Sequence, residues 1–225
     1  MLVELTRPVL TDAKVNRVID DITKHFKYQA NPNTCEPNGI YNILHELGDR
    51  HGRKDIQFTE ARVDQICGYK HPIGINVRVV VPNLNQALKG TGYTVHDRVR
   101  SSFPNLRSVL TDTSCSFPLA GLSFEYLRDI HGYGRTDGSD HVVIVFKASD
   151  VNVAVYDPFE GLNPSMRRAN QGYGKGVVVL PTSEFLTYWE DAIVSTSWML
   201  WIRKETIKEP TIESFAEARE VVVKP

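Results

Sequence analysis

One cysteine in this chain stands where a thiol could react. Cys35 follows the polar, turn-rich stretch 29–34, and apolar residues then recur on one helix face at Ile40, Ile43, Leu44 and Leu47. Asn33 or Thr34 is the predicted N-cap, and Gly48 the predicted end of the helix. The positive end of a helix dipole favours a thiolate. Taken alone, however, a single cysteine in an intracellular protein is more often a small buried apolar residue.

A histidine and an aspartate stand at the two ends of a predicted β-hairpin. Residues 141–146 and 151–158 have strand character, and the polar stretch 147–150 between them predicts a turn. With that turn centred near Ser149, His141 and Asp157 face each other on one side of the hairpin, with Cβ atoms about 4.5–5.5 Å apart. A shift of one residue would place them on opposite faces. Each residue alone is equally typical of an ordinary strand end. Together they predict an imidazole oriented by a carboxylate, which is half of a catalytic triad.

The elements that must position these residues change in type along the chain. Further helices are predicted at 12–26, at 59–67 with Cys67 on the apolar face that packs in the core, after Pro82-Asn83, at 105–110 and at 183–189. Further strands are predicted at 75–81, at 93–99 as an edge strand, at 116–124 and at 198–203. The glycine-rich stretch 129–140 is predicted to be a long loop at the rim of the site. Because helices dominate the first half and strands the second, we expect an α+β fold with an antiparallel sheet.

Composition limits the possible functions. The 225 residues carry a formal net charge of −1, which gives no sign of a nucleic-acid or acidic-membrane partner. Neither a signal peptide nor a membrane-spanning run is apparent, so a cytoplasmic location is the default expectation. The three cysteines form no C-x-x-C pair, and the remaining histidines have no metal-ligand spacing, so no metal or other cofactor is predicted. We expect one domain over residues 1–204 and a charged extension over 205–225 that docks on the body or on a partner.

Four residues together carry a resemblance to a known family. Gln29 lies six positions before Cys35, His141 follows far downstream, and Asp157 comes sixteen positions later in the context Val-Tyr-Asp-Pro. This spacing resembles that of the papain-like cysteine peptidases, specifically the C39 and C39-like family, over about residues 28–203. The resemblance implies a papain-like fold and a peptide or amide substrate. It also implies an oxyanion donor at Gln29, a nucleophile at Cys35, a general base and acid at His141 and an orienting carboxylate at Asp157.

The chain departs from the family pattern next to the nucleophile. A glycine or another small residue commonly follows the cysteine in that family, whereas Glu36 follows it here. A carboxylate at this position suits the first turn of a helix, but it would also oppose a thiolate. Two alternatives to a peptidase or amidohydrolase therefore stay open: a catalytically weak or inactive peptide-binding module, and a relative that passes the acyl group to an amine instead of water.

Overall fold

The computed structural model describes residues 25–31, 33–70, 77–132, 140–161, 176–192 and 196–205. Most of the predicted helix 12–26, the loop residues 133–139 and the extension from 206 onwards lie outside these ranges. The proposed domain boundaries therefore stay predictions. Within the described ranges no helix is long and apolar enough to cross a bilayer.

A six-stranded antiparallel sheet forms the centre of the fold. Its strands are β1 (Tyr93–Arg98), β2 (Leu119–Leu122), β3 (His141–Ala148), β4 (Asn152–Tyr156), β5 (Val177–Pro181) and β6 (Met199–Lys204). They lie in the order β1-β6-β2-β3-β4-β5, with antiparallel pairing throughout. The predicted α+β class with an antiparallel sheet is thus confirmed, and β1 is an edge strand as expected.

Helices cover both faces of this sheet. They are α1 (Cys35–His51), α2 (Glu60–Cys67), α3 (Val77–Ala87), α4 (Phe103–Thr111), α5 (Phe124–His131) and α6 (Thr182–Glu190), with short 3-10 turns at Lys54–Ile56 and Pro158–Gly161. Buried side chains of α1, α2 and α3 pack on one face, where they meet Val142 and Ile144 of β3. Those of α4, α5 and α6 pack on the other face against Val143 and Val145. The alternation along β3 reflects the two-residue period of a strand, so the sheet has a core on each side.

The helix of Cys35 is longer than its sequence predicts. It runs to His51 and ends at Gly52, whose φ of 66° is the left-handed conformation that favours glycine. Gly48 lies inside the helix instead of ending it. A Cβ added there would lie 2.6 Å from the carbonyl oxygen of Arg53, so position 48 needs glycine for a close backbone approach.

The prediction of a strand over residues 75–81 is wrong for its described part. Helix α3 begins at Val77 and includes Pro82, which was predicted to start a helix. Val80, Leu84 and Leu88 are fully buried at a spacing of four residues. Helical burial of this face outweighs the strand preference of a valine-rich run, because β-propensity depends strongly on context.

A second correction concerns the segment before the glycine-rich loop. Strand β2 is shorter than the predicted strand 116–124, and α5 begins at the last residue of that prediction, crosses the unassigned residues 125–128 and ends inside the predicted loop 129–140. Gly132 ends α5 with a φ of 63°. Tyr126, Leu127, Ile130 and His131 are buried. This helix therefore carries a histidine and a tyrosine into the core.

Candidate active site

Cys35 is the first residue of α1 and is partly exposed. The loop before it is closed by Thr34, whose Oγ1 donates to the carbonyl oxygen of Asn31 at 2.8 Å, so this side chain does not cap the helix. The imidazole of His141 and the backbone N–H groups of Val142 and Glu36 lie close enough to the Cys35 sulfur to lower the pKa of its thiol. The thiol thus lies where the start of α1 meets the start of β3.

His141 and Asp157 share one face of the hairpin, but they are not directly opposite each other. The turn lies between Ser149 and Asn152, and the first pair beyond it is Ala148 with Val153. A bulge between Val145 and Lys147 then shifts the register by one residue, so that Ile144 pairs with Tyr156. Continued by one residue on each strand, this register places Val143 opposite Asp157 and leaves His141 diagonal to it.

The bulge decides whether the two residues can meet. Without it, the register at the turn would continue along the hairpin and would place His141 and Asp157 on opposite faces, because each residue of shift exchanges the faces. The extra residue in β3, Phe146, restores the matching face. Directly across from His141 is Leu122 of β2.

The hydrogen bond between His141 and Asp157 defines the roles of the two ring nitrogens. Nε2 of His141 donates to Oδ1 of Asp157 at 2.8 Å. Both side chains are almost completely buried, with 1% and 0% of their surface exposed. Because Nε2 is bonded to the carboxylate, Nδ1 is the nitrogen left to exchange a proton with the Cys35 thiol.

Within the described residues, the Asp157 carboxylate accepts four hydrogen bonds. Besides His141, Oδ1 accepts from the backbone N–H of Phe159 at 2.8 Å. Oδ2 accepts from Nε2 of His131 at 2.6 Å and from the Tyr126 hydroxyl at 2.8 Å. A carboxylate has about four acceptor positions, so this buried charge is fully satisfied and its orientation is fixed.

These contacts favour an ion pair between Cys35 and His141. Burial raises the pKa of the Cys35 thiol, but contact with His141 and the two backbone N–H groups outweigh burial and lower the pKa overall. Burial lowers the pKa of His141, yet the charge and hydrogen bond of Asp157, with the contact to Cys35, raise it to about 10. Although burial opposes it, the two histidines hold the pKa of Asp157 far below its usual range. Both the lowered pKa of the thiol and the raised pKa of the imidazole favour a thiolate–imidazolium pair.

Gln29 lies next to the strand-end segment of the site. Its backbone N–H donates to the carbonyl oxygen of Pro158 at 3.1 Å, and its side-chain Nε2 donates to the carbonyl oxygen of Asn31 at 2.7 Å. The side chain is buried, and no residue within the described ranges forms a hydrogen bond with Oε1. Since an amide NH2 has two hydrogens, one remains for another acceptor. Gln29 thus joins the loop before Cys35 to the residue after Asp157.

Glu36 is buried, with 4% of its surface exposed, and its Oε1 has no hydrogen-bond partner in the described part of the chain. Burial, together with the charges of Cys35 and Asp97, raises the pKa of Glu36 to about 8. The carboxyl group is therefore mostly neutral at pH 7 and adds little negative charge next to the thiolate. This departure from the family pattern is compatible with an activated cysteine.

His131 is the residue of this cluster that sequence reasoning missed. It was grouped with histidines that lack ligand spacing, and the helix that carries it was not predicted. A signal was present in the capping residues Ser123 and Gly132, which bracket an amphipathic segment.

The other two cysteines, Cys67 and Cys115, are buried, and all three cysteines are free thiols. Cys67 lies in the core as predicted.

A cavity of about 550 Å³ lies away from this cluster, between β1, β6 and α4, with Trp201 and Arg203 in its wall. None of the residues around the Cys35 sulfur lines it. In the described part of the chain, no group of histidine, cysteine and acidic side chains is arranged to hold a metal ion.

The chain matches no protein-family model, and no curated protein is significantly similar to it. A function for this protein must therefore be inferred from the geometry of the cluster around Cys35, His141 and Asp157.

Proposed function

We propose that this protein is a cysteine peptidase or amidohydrolase of the papain-like, C39-like type, with Cys35, His141 and Asp157 as its triad. The observation that carries this proposal is the orientation of His141. A saturated carboxylate holds its Nε2, so its Nδ1 is available to the sulfur at the start of α1. A nucleophile, a base in contact with it and a third group that orients the base form the general arrangement for covalent catalysis.

The first half of the reaction forms a thioester. The Cys35 thiolate attacks the amide carbonyl carbon, a C–S bond forms, and the carbonyl electrons move to oxygen. The oxyanion collapses, the C–N bond breaks, and the imidazolium of His141 transfers its Nδ1 proton to the leaving amine.

The second half of the reaction hydrolyses the thioester. Neutral His141 takes a proton from water, which attacks the thioester. The C–S bond breaks, the acid is released, and the thiolate–imidazolium pair is restored.

The developing oxyanion needs hydrogen-bond donors. The backbone N–H of Cys35 is one of the first N–H groups of α1, which have no acceptor within the helix. The second NH2 hydrogen of Gln29 is the other proposed donor. The first one already bonds to the carbonyl oxygen of Asn31, which holds the amide group beside the loop that leads to Cys35. Two such donors in a water-poor site stabilise charge that appears only during the reaction.

Glu36 gives weight to one alternative function. A buried carboxyl group next to the nucleophile, with an unpartnered oxygen, fits a domain that binds peptides through the same cleft without efficient turnover. Transfer of the acyl group to an amine is the other alternative. It differs from hydrolysis only in the nucleophile that reaches the thioester.

Incubation of the protein with a mixed peptide library in H2¹⁸O, followed by mass spectrometry, tests these functions. A hydrolase produces new carboxyl termini that carry one ¹⁸O atom, and Cys35→Ala abolishes them. Cys115→Ala is the matched control because it removes a thiol outside the cluster, and it retains activity. Products extended by an added amine indicate acyl transfer. Equal cleavage by wild type and Cys35→Ala would refute the proposed nucleophile, and retained peptides without cleavage would indicate the binding module.

A further inference from the structure

A second imidazole holds the carboxylate of the site from the side opposite His141. His131 is the last residue of α5, and none of its surface is exposed. Its Nε2 lies 2.6 Å from Oδ2 of Asp157, while Nε2 of His141 lies 2.8 Å from Oδ1. Because the carboxylate oxygen accepts, Nε2 of His131 is the protonated nitrogen.

The placement of His131 has a cost that packing does not explain. Its Nδ1 is buried and has no hydrogen-bond partner among the residues that the structure describes. The ring packs between Tyr126 and Phe159, with centroids 6.1 and 5.2 Å away. A phenyl ring would fill an aromatic site of this kind without leaving a polar atom unpaired. The contact that distinguishes the imidazole from such a ring is its Nε2–H bond to Asp157.

That bond acts on the orientation of the carboxylate. The last torsion of an aspartate side chain has a broad energy profile, so hydrogen bonds must hold the plane of the carboxylate. His131 and Tyr126 hold Oδ2, whereas the backbone N–H of Phe159 holds Oδ1 beside His141. If Oδ2 loses its charge-assisted partner, the carboxylate can rotate and Oδ1 moves out of line with Nε2 of His141.

We propose that His131 is a positioning residue that holds Asp157, and through it His141, in the arrangement that keeps Cys35 reactive. This inference depends on the proposed function. Tyr126 and Asp157 are the titratable side chains in contact with His131 among the described residues. His131 itself is fully buried behind the carboxylate, so it acts through Asp157 and not on the substrate.

Two amide variants separate this role from simple packing. A glutamine amide nitrogen occupies about the place of Nε2, whereas an asparagine amide nitrogen occupies about the place of Nδ1. His131→Gln therefore keeps a donor to Oδ2, and His131→Asn places its donor where the wild-type nitrogen has no partner. Both substitutions are polar and uncharged, which makes them a matched pair.

The principal measurement is the rate at which iodoacetamide alkylates Cys35 between pH 4 and pH 10, followed by peptide mass spectrometry. Cys67 and Cys115 serve as internal references, and near-UV circular dichroism reports the folded state. For the folded proteins, we expect wild type and His131→Gln to be alkylated rapidly well below pH 8, and His131→Asn to require a higher pH. On a substrate identified with the peptide library, His131→Asn lowers kcat by about ten- to hundredfold, the range for a lost hydrogen bond to a charged group, with KM unchanged.

The outcomes distinguish this inference from the function on which it depends. If wild-type Cys35 reacts no faster than Cys67 and Cys115, both the proposed function and the positioning role are refuted. If wild type reacts rapidly and folded His131→Asn has the same pH profile, only the positioning role is refuted. Equal losses in His131→Gln and His131→Asn would also refute it.

If His131→Asn does not fold, a measurement on the wild-type protein tests the positioning role of His131. Nitrogen-15 NMR of histidine-labelled protein reports which ring nitrogen of each histidine carries a proton. We expect His131 to show a protonated Nε2 whose proton exchanges slowly with water, and whose resonance shifts in Asp157→Asn. A His131 resonance with protonation at Nδ1 alone would overturn the proposal.

Discussion

Replacement of Glu36 by glutamine should change how the stability of the protein depends on pH. Glu36 is 4% exposed, and none of the described residues forms a hydrogen bond with its Oε1. Burial and the neighbouring negative charges raise its pKa from 4.5 to about 8. The native state therefore holds a proton that the unfolded chain releases over this pH interval. Stability falls as pH rises from about 4.5 to about 8, and the loss levels off above that.

The size of this effect follows from the two pKa values. One pKa unit corresponds to about 1.4 kcal/mol, so complete ionisation of Glu36 between 4.5 and about 8 costs about 5 kcal/mol. Between pH 5 and pH 8.5 the same titration destabilises wild type by about 4 kcal/mol. Glutamine does not titrate, so Glu36→Gln lacks this loss. Its buried amide adds a cost of about 1–3 kcal/mol that is the same at every pH.

Urea unfolding at pH 5 and pH 8.5, under reducing conditions, measures this difference. The relevant quantity is the change in unfolding free energy between the two pH values, since the constant cost of the amide cancels. Glu190→Gln is the matched control because Glu190 is exposed at the end of α6, and we expect its pH dependence to follow wild type. If the curves of wild type and Glu36→Gln stay parallel within about 1 kcal/mol, Glu36 ionises normally and the argument from burial is wrong.

Three further predictions concern the site. Asp157→Asn should lower kcat by on the order of 10⁴, because the asparagine NH2 group cannot accept hydrogen bonds from the donors that face the carboxylate oxygen it replaces. Steady-state kinetics with a folded-state control measures the loss in kcat, and a loss below tenfold would contradict the orienting role. Gln29→Ala should lower kcat by about 10²–10³ with Cys35 alkylation unchanged, and a fall in alkylation would indicate that Gln29 acts on the thiol and not on the oxyanion. Burial and the nearby carboxylate of Asp112 raise the pKa of Cys115 to about 11, so alkylation of Cys115 should increase only in strongly alkaline solution. Fast labelling of Cys115 at pH 7 would contradict this prediction.

Local sequence patterns predicted the elements of the site better than their pairing. The helix start at Cys35, the N-cap at Thr59 and the edge strand at Tyr93 are encoded within a few residues, and the structure contains all three. The hairpin was also predicted, but the predicted register, with His141 directly opposite Asp157, is not the one observed. A bulge at Phe146 has no clear signature in the run 141–148, where several residues would pair equally well.

The strand predicted at 75–81 and the missed helix α5 have a common explanation. In both segments, the secondary structure that the local sequence favours differs from the one that burial in the core selects. Val80 belongs to a helical face that is buried in the same core as residues of α1 and α2, although valine favours strands. The segment 124–131 was not recognised as a helix, because only the packed sheet shows which of its faces is buried.

The sequence by itself determined the types of group in this site and their local setting: a thiol at a helix start, an imidazole and a carboxylate at two strand ends, and a glutamine six residues before the thiol. Only the tertiary structure decided how they meet. The bulge aligns His141 with Asp157, and α5 brings His131 and Tyr126 to the same carboxylate from 26 and 31 residues away. The reason is physical. Periodicity and capping act over one or two helical turns, whereas the partners of a buried charge are selected by the packing of the whole core.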